Sequence, residues 1–263
     1  MRHTESRRMT IPLGDAFLAA KTLVPQCVSG NTWLVFLHEG LGSIEQWGTI
    51  PQRLSNTLNC PALVYDRLGY GTSAPSTRPW TANYLHHEAC DILPHVLRYV
   101  GIDKSILIGH SDGGSIALLY ASSYPDCVAA LVTEAAHVFV EDVTLQGITE
   151  AIDLFESTAL AARLARYHGE KTGSMFYRWA NAWHDPSFRS WNIEEELHGI
   201  TAPTLVIQGE NDQYGTEHQV KSIARHVSGP VETAIVPRCG HVPHREAPAA
   251  VLSLIHRFIA GIN

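Results

Sequence analysis

Residues 105–120 read Ser105-Ile106-Leu107-Ile108-Gly109-His110-Ser111-Asp112-Gly113-Gly114-Ser115-Ile116-Ala117-Leu118-Leu119-Tyr120. An apolar strand-like run enters a glycine-rich hexapeptide, and a helix-like stretch leaves it, which is the context in which a Gly-x-Ser-x-Gly string becomes a nucleophile elbow. A serine at the apex of so sharp a bend is held in a strained backbone region, so Gly109 and Gly113, two residues to either side, must lack side chains. Ser111 then projects its hydroxyl above the sheet edge. The first N–H groups of the following helix point at whatever bonds to that oxygen and favour negative charge there.

A serine hydroxyl is a weak nucleophile near neutral pH. It needs a base within hydrogen-bond reach, and the base needs a carboxylate to orient it. On this architecture the partners follow in the order serine, acid, histidine. Downstream, the strand-like run Pro203–Gln208 breaks into Gly209-Glu210-Asn211-Asp212, and Val231–Val236 breaks into Pro237-Arg238-Cys239-Gly240-His241. Both breaks lie just past the carboxyl end of a strand, where open parallel sheets build their sites. Asp212 is the candidate acid and His241 the candidate base, with Glu210, Glu134 and His244 as competitors.

A chain of 263 residues with 45% hydrophobic content can bury a large core as one domain with an insertion. A net charge of −7 gives no electrostatic drive toward nucleic acid or anionic membrane. With no apolar run long enough to span a bilayer and no secretory leader at Met1–Arg8, the expectation is a cytoplasmic protein acting on a small-molecule substrate, with a homo-oligomer left open. Five scattered cysteines fit reduced thiols. His87, Asp91 and His95 share a helical spacing but lack the convergence of a metal site, and neither metal nor cofactor is expected.

Strand candidates alternate with helical spacers, the pattern of a mostly parallel, doubly wound sheet in an α/β fold. The spacing predicts central strands at 32–37, 62–65, 105–108, 129–133, 204–207 and 232–236, with further strands between Thr10 and Val24. Helices are predicted at 84–100, 112–122, 217–226 and 248–259. Residues 141–199 break the alternation. That segment is helix-prone and carries nine large residues, among them Trp179, Trp183 and Trp191, and a structureless loop of such length is improbable in a compact domain.

Five stretches in order, His38–Ser43, Tyr65–Ser73, Gly109–Gly114, Gln208–Gly215 and Cys239–Pro248, resemble the α/β-hydrolase superfamily. The resemblance implies a core formed by residues 1–140 and 200–263 and a helical cap at 141–199. It also implies an oxyanion hole from the backbone N–H of Asp112 and of Gly40, with Leu41 the second choice for the latter. Two positions depart from the family's habit: Glu39 stands where glycine is common, and Asp112 where an apolar residue is common. Asp112 needs a counter-charge, either Arg67 or Arg78 or the ammonium of an amino-acid ester. Glu39, His137, Trp179 and Trp183 are the candidate substrate-binding residues. The implied activity is serine hydrolysis of a small carboxylic ester, lactone or thioester. Alternatives are amino-acid ester hydrolysis, carbon–carbon bond hydrolysis (disfavoured by Val242, where those relatives place tryptophan), cofactor-free peroxidation, and a catalytically silent receptor.

Overall fold

The structure is a computed structural model that describes residues 4–76 and 80–262. Eight strands form one sheet in the order β1-β2-β4-β3-β5-β6-β7-β8. They are β1 (Thr4–Leu13), β2 (Ala16–Pro25), β3 (Trp33–Leu37), β4 (Ala62–Tyr65), β5 (Ser105–His110), β6 (Val128–Glu134), β7 (Thr204–Gly209) and β8 (Val231–Val236). From β4 onward in the sheet every pairing is parallel. The β1–β2 hairpin is antiparallel and joins β4 antiparallel through β2.

Both sheet faces are covered, so the parallel strands are buried on both sides and read as continuous apolar runs. Alternation along them sends successive side chains to opposite layers. Leu107 lies in the core shared with Val35, Leu63, Leu131 and Val206. Ile106 and Ile108 lie in the other, with Leu34, Phe36, Val132 and Ile207. The second layer is closed by α1 (Ile50–Leu58) and by α10 (Pro248–Gly261), whose Val251, Ile255 and Phe258 are buried. The first layer is built around α4 (Asp112–Ser123), buried at every residue from Asp112 to Ala121, as expected of a helix with no solvent face.

The helix expected over 84–100 is interrupted. It runs as α2 (Tyr84–His87), a π-helical turn at Glu88–Ile92, and α3 (Leu93–Val100). Pro94 has no N–H for the carbonyl four residues back, Cys90, and the π turn absorbs the misfit. The Tyr124 hydroxyl donates to that carbonyl at 3.1 Å. The strands expected between Thr10 and Val24 are also longer than the spacing suggested: two ten-residue strands starting at Thr4, turned by Gly14 at φ +59°. Polar β1 sits at the sheet edge with only Ile11 fully buried, which hid its period.

Between β6 and β7 run α5 (Asp142–Ser157), α6 (Leu160–His168) and α7 (Thr172–His184). Their aromatic rings largely pack on one another. Phe155 stacks on Phe176 at 3.9 Å, and Phe188 on Trp191 at 5.2 Å. After β7 comes α8 (Glu217–His226), whose Val220 and Ile223 join the α4 layer, and the short α9 (Pro243–Glu246) precedes α10. No helix of the described residues is long and apolar enough to cross a membrane.

Candidate active site

The turn from β5 into α4 places Ser111 at φ +51°, ψ −118°, a conformation L-residues rarely adopt. Its neighbours have no room for side chains. A Cβ on Gly109 would lie 2.2 Å from the Gly113 carbonyl oxygen, and one on Gly113 would lie 2.0 Å from that of Leu37. The strain is therefore imposed by packing on both sides of the turn, where such backbone outliers are usually stored for function.

Asp212 and His241 come together from the loops after β7 and β8. The imidazole donates from Nδ1 to Asp212 Oδ1 at 2.8 Å, and the same oxygen accepts the N–H of Tyr214 at 2.8 Å. Burial alone would raise the Asp212 carboxyl, but the charge and hydrogen bond of His241, with the Tyr214 N–H, hold it below the ordinary carboxylate value. The Tyr214 ring lies 4.6 Å from that of His241. Ser111 and His241 line one cavity of about 240 Å³. Among the described residues Ser111 Oγ makes no hydrogen bond.

The competing acids and base have other duties. Glu210 accepts the Arg238 N–H. Glu134 accepts both the backbone N–H and Nδ1–H of His244, each at 3.0 Å, and the His244 ring stacks on Trp47. His87 pairs with Asp91, whereas His95 donates to the Pro12 carbonyl, so those three side chains do not converge.

The turn after β3 is braced from below. His38 accepts the Arg67 N–H on Nε2, so its Nδ1 donates to the Glu39 carbonyl at 2.8 Å, and burial with the nearby Arg67 charge lowers the imidazole to about 3. Arg67 also donates to the Glu39 carbonyl at 2.8 Å, and both its terminal nitrogens reach Asp112 Oδ2 at 3.3 Å. One buried guanidinium thus ties the Glu39–Gly40 turn to the residue after Ser111 and supplies the counter-charge Asp112 needs; Arg78 lies outside the described residues. The Glu39 carboxylate faces His110 Nδ1 at 3.4 Å. Burial opposes its charge, but contact with His110 outweighs that and keeps it well below the ordinary value, while His110 in turn is raised.

Glu39, Gly40, Leu41 and Asp112 all line the cavity, as do His137, Trp179 and Trp183. Gly40 lies against the Trp179 indole, where a Cβ would come within 2.1 Å of Nε1. His137 donates from Nε2 to the Tyr214 carbonyl, and burial, with His241 close by, holds the imidazole below its ordinary value. Reading the sequence missed the rim residues Gln46, Gln213 and Arg245, and the apolar Ile148, Leu160 and Leu164. The three apolar positions carry no motif; Arg245, four residues past the candidate base, was the one available signal.

Residues 34–254 match the model of the "Alpha/beta hydrolase family". Over 260 residues the chain is 26% identical to a 2-succinyl-6-hydroxy-2,4-cyclohexadiene-1-carboxylate synthase of Enterobacter sp. (strain 638), covering 88% of this chain and 92% of that one. It is also 26% identical to the serine hydrolase BPHL of Homo sapiens, across 78% of this chain and 71% of that protein. Among solved structures, the 2-hydroxy-6-oxo-6-phenylhexa-2,4-dienoate hydrolase of Rhodococcus sp. strain RHA1 superposes with a TM-score of 0.78. It is 17% identical, covers 98% of this chain and 100% of that one, and speaks to the fold.

Proposed function

The chain belongs to the alpha/beta hydrolase family, and from that membership and the cavity's geometry we propose that it is a serine hydrolase of a small carboxylic ester, lactone or thioester. Ser111 attacks the carbonyl carbon while His241 takes the hydroxyl proton. Asp212 holds the imidazole with Nδ1 protonated and Nε2 free to accept. The backbone N–H groups of Asp112 and Gly40, or Leu41, receive the oxyanion, where losing one donor typically costs about 3 to 4 kcal/mol of barrier. His241 returns the proton to the leaving group, and a water activated by the same imidazole clears the acyl-enzyme.

The observation that carries this reading is the 2.8 Å His241–Asp212 hydrogen bond beside a serine held at positive φ in the same cavity. At about 240 Å³ the cavity is smaller than most ligand pockets and suits a compact acyl group. Trp179, Trp183, Ile148 and Leu164 give its lining apolar surface on the side of residues 141–199, which would keep water from the reacting carbonyl. We take residues 141–199 as a cap over it. The test is labelling with a fluorophosphonate, followed by peptide mass mapping. The adduct is expected on Ser111, together with a burst of nitrophenol from an activated ester. Tight ligand binding with neither adduct nor burst would favour a receptor instead.

A further inference from the structure

The charges around the cavity do not balance. Two carboxylates line it, and each has a basic side chain facing it inside the protein: Glu39 faces His110, and Asp112 pairs with Arg67. Arg245 also lines it and is exposed. Among the described residues its guanidinium makes neither a hydrogen bond nor an ion pair. The adjoining acid, Glu246, is turned to the loop backbone, with one oxygen on the Gly240 N–H at 2.7 Å and the other on the Val242 N–H at 3.0 Å.

The same cavity is lined by two side-chain amides with donors to spare. Gln46 accepts the Ser43 hydroxyl on Oε1 and leaves its NH₂ group unbonded. Gln213 makes no side-chain hydrogen bond among the described residues. A chain of net charge −7 thus presents one uncompensated cation and two amide donor groups at the cavity that holds Ser111. A planar guanidinium with a fork of N–H donors is matched by a carboxylate.

We infer that Arg245, assisted by Gln46 and Gln213, is a subsite for a carboxylate on the substrate, so that the favoured substrates are monoesters or lactones that keep a free carboxylate beyond the scissile carbonyl. This rests on the hydrolase reading above for its reaction but not for its binding. No bond is made or broken at Arg245, which positions the anion while Ser111 attacks the other carbonyl.

The experiment compares the nitrophenyl monoester of glutaric acid with its uncharged isostere, in which an isopropyl group replaces the terminal carboxylate. The ratio of their kcat/KM values is expected to fall at least about tenfold in Arg245→Gln, mainly through KM of the anionic ester, and to recover partly in Arg245→Lys. A ratio unmoved by Arg245→Gln overturns the subsite. Should the wild type cleave neither ester, the hydrolase reading fails on its own, and the subsite is decided by titrating glutarate into Ser111→Ala and into Ser111→Ala with Arg245→Gln. Binding that depends on Arg245 and weakens with salt supports it; binding indifferent to Arg245, or none, overturns it.

Discussion

His110 donates from Nε2 to the backbone carbonyl of His241 at 2.6 Å, so the residue before the proposed nucleophile grips the loop that carries the proposed base. Its other ring nitrogen faces Glu39, in the turn proposed to supply the oxyanion hole. Nδ1 faces that carboxylate at 3.4 Å without a hydrogen bond, and the carboxylate raises the imidazole above its ordinary value against the opposing effect of burial. The three loops of the site thus meet on one buried imidazole. Removing its side chain in His110→Ala leaves Glu39 without a counter-charge, and a loss of about 3 to 5 kcal/mol in urea unfolding is expected.

The same pair sets a pH window. Glu39 is lowered from an ordinary 4.5, so its contribution is present above that value and is lost as pH falls through the folded one. His110 is raised from 6.5, so its contribution is full below 6.5 and is lost as pH rises through the folded value. Glu39→Gln is expected to flatten both limbs of a plot of unfolding midpoint against pH. Superimposable wild-type and variant curves would show that the pair contributes nothing.

Asp212→Asn tests the orienting carboxylate. An amide there presents either an oxygen or an N–H to His241 Nδ1, and the N–H selects the wrong tautomer. From the behaviour of other triads, kcat on an activated ester is expected to fall about ten-thousandfold with KM little changed, and fluorophosphonate labelling to slow in parallel. Ser111→Ala is expected to cost on the order of a millionfold. Retention of wild-type kcat in either variant removes the mechanism.

Gly113→Ala separates strain from chemistry. The added methyl meets backbone, not a flexible side chain, so the start of α4 must shift. We expect destabilisation of about 3 kcal/mol or more together with loss of turnover. A variant with full activity and an unchanged unfolding midpoint would contradict the packing account of the elbow.

These tests divide between what local sequence announces and what it hides. Gly109, Ser111 and Gly113 are legible because a tight turn restricts residue types within five positions. Asp212 and His241 are legible because each follows an apolar strand. Arg67 is legible only as one of two arginines that could answer Asp112, 45 residues away; its hold on the Glu39 carbonyl, 28 residues away, is not, since only the sheet order brings that pair together. Glu39 looks like a defect in a glycine-rich turn until His110 is placed beside it. The π turn was foreshadowed by Pro94, but its form depended on how Cys90 and Tyr124 pack. Edge strand β1 stayed indistinct because its exposed residues need no apolar period.

Arg67 offers the sharpest test of the brace. Arg67→Met strands the Asp112 carboxylate and the Glu39 carbonyl in a buried place, and a loss of about 3 to 5 kcal/mol is expected. Adding Asp112→Asn removes the stranded charge, and the double variant is expected to recover part of that loss, since a buried ion pair is costly to break but contributes little over a neutral replacement. Activity follows a different rule. The guanidinium ties the Glu39–Gly40 turn to Asp112, so the double variant is expected to stay slow in acylation even where its unfolding midpoint recovers. A double-mutant cycle run on both quantities checks this, and joint recovery of stability and acylation rate would mean that Arg67 only neutralises Asp112 and does not hold the oxyanion turn in place.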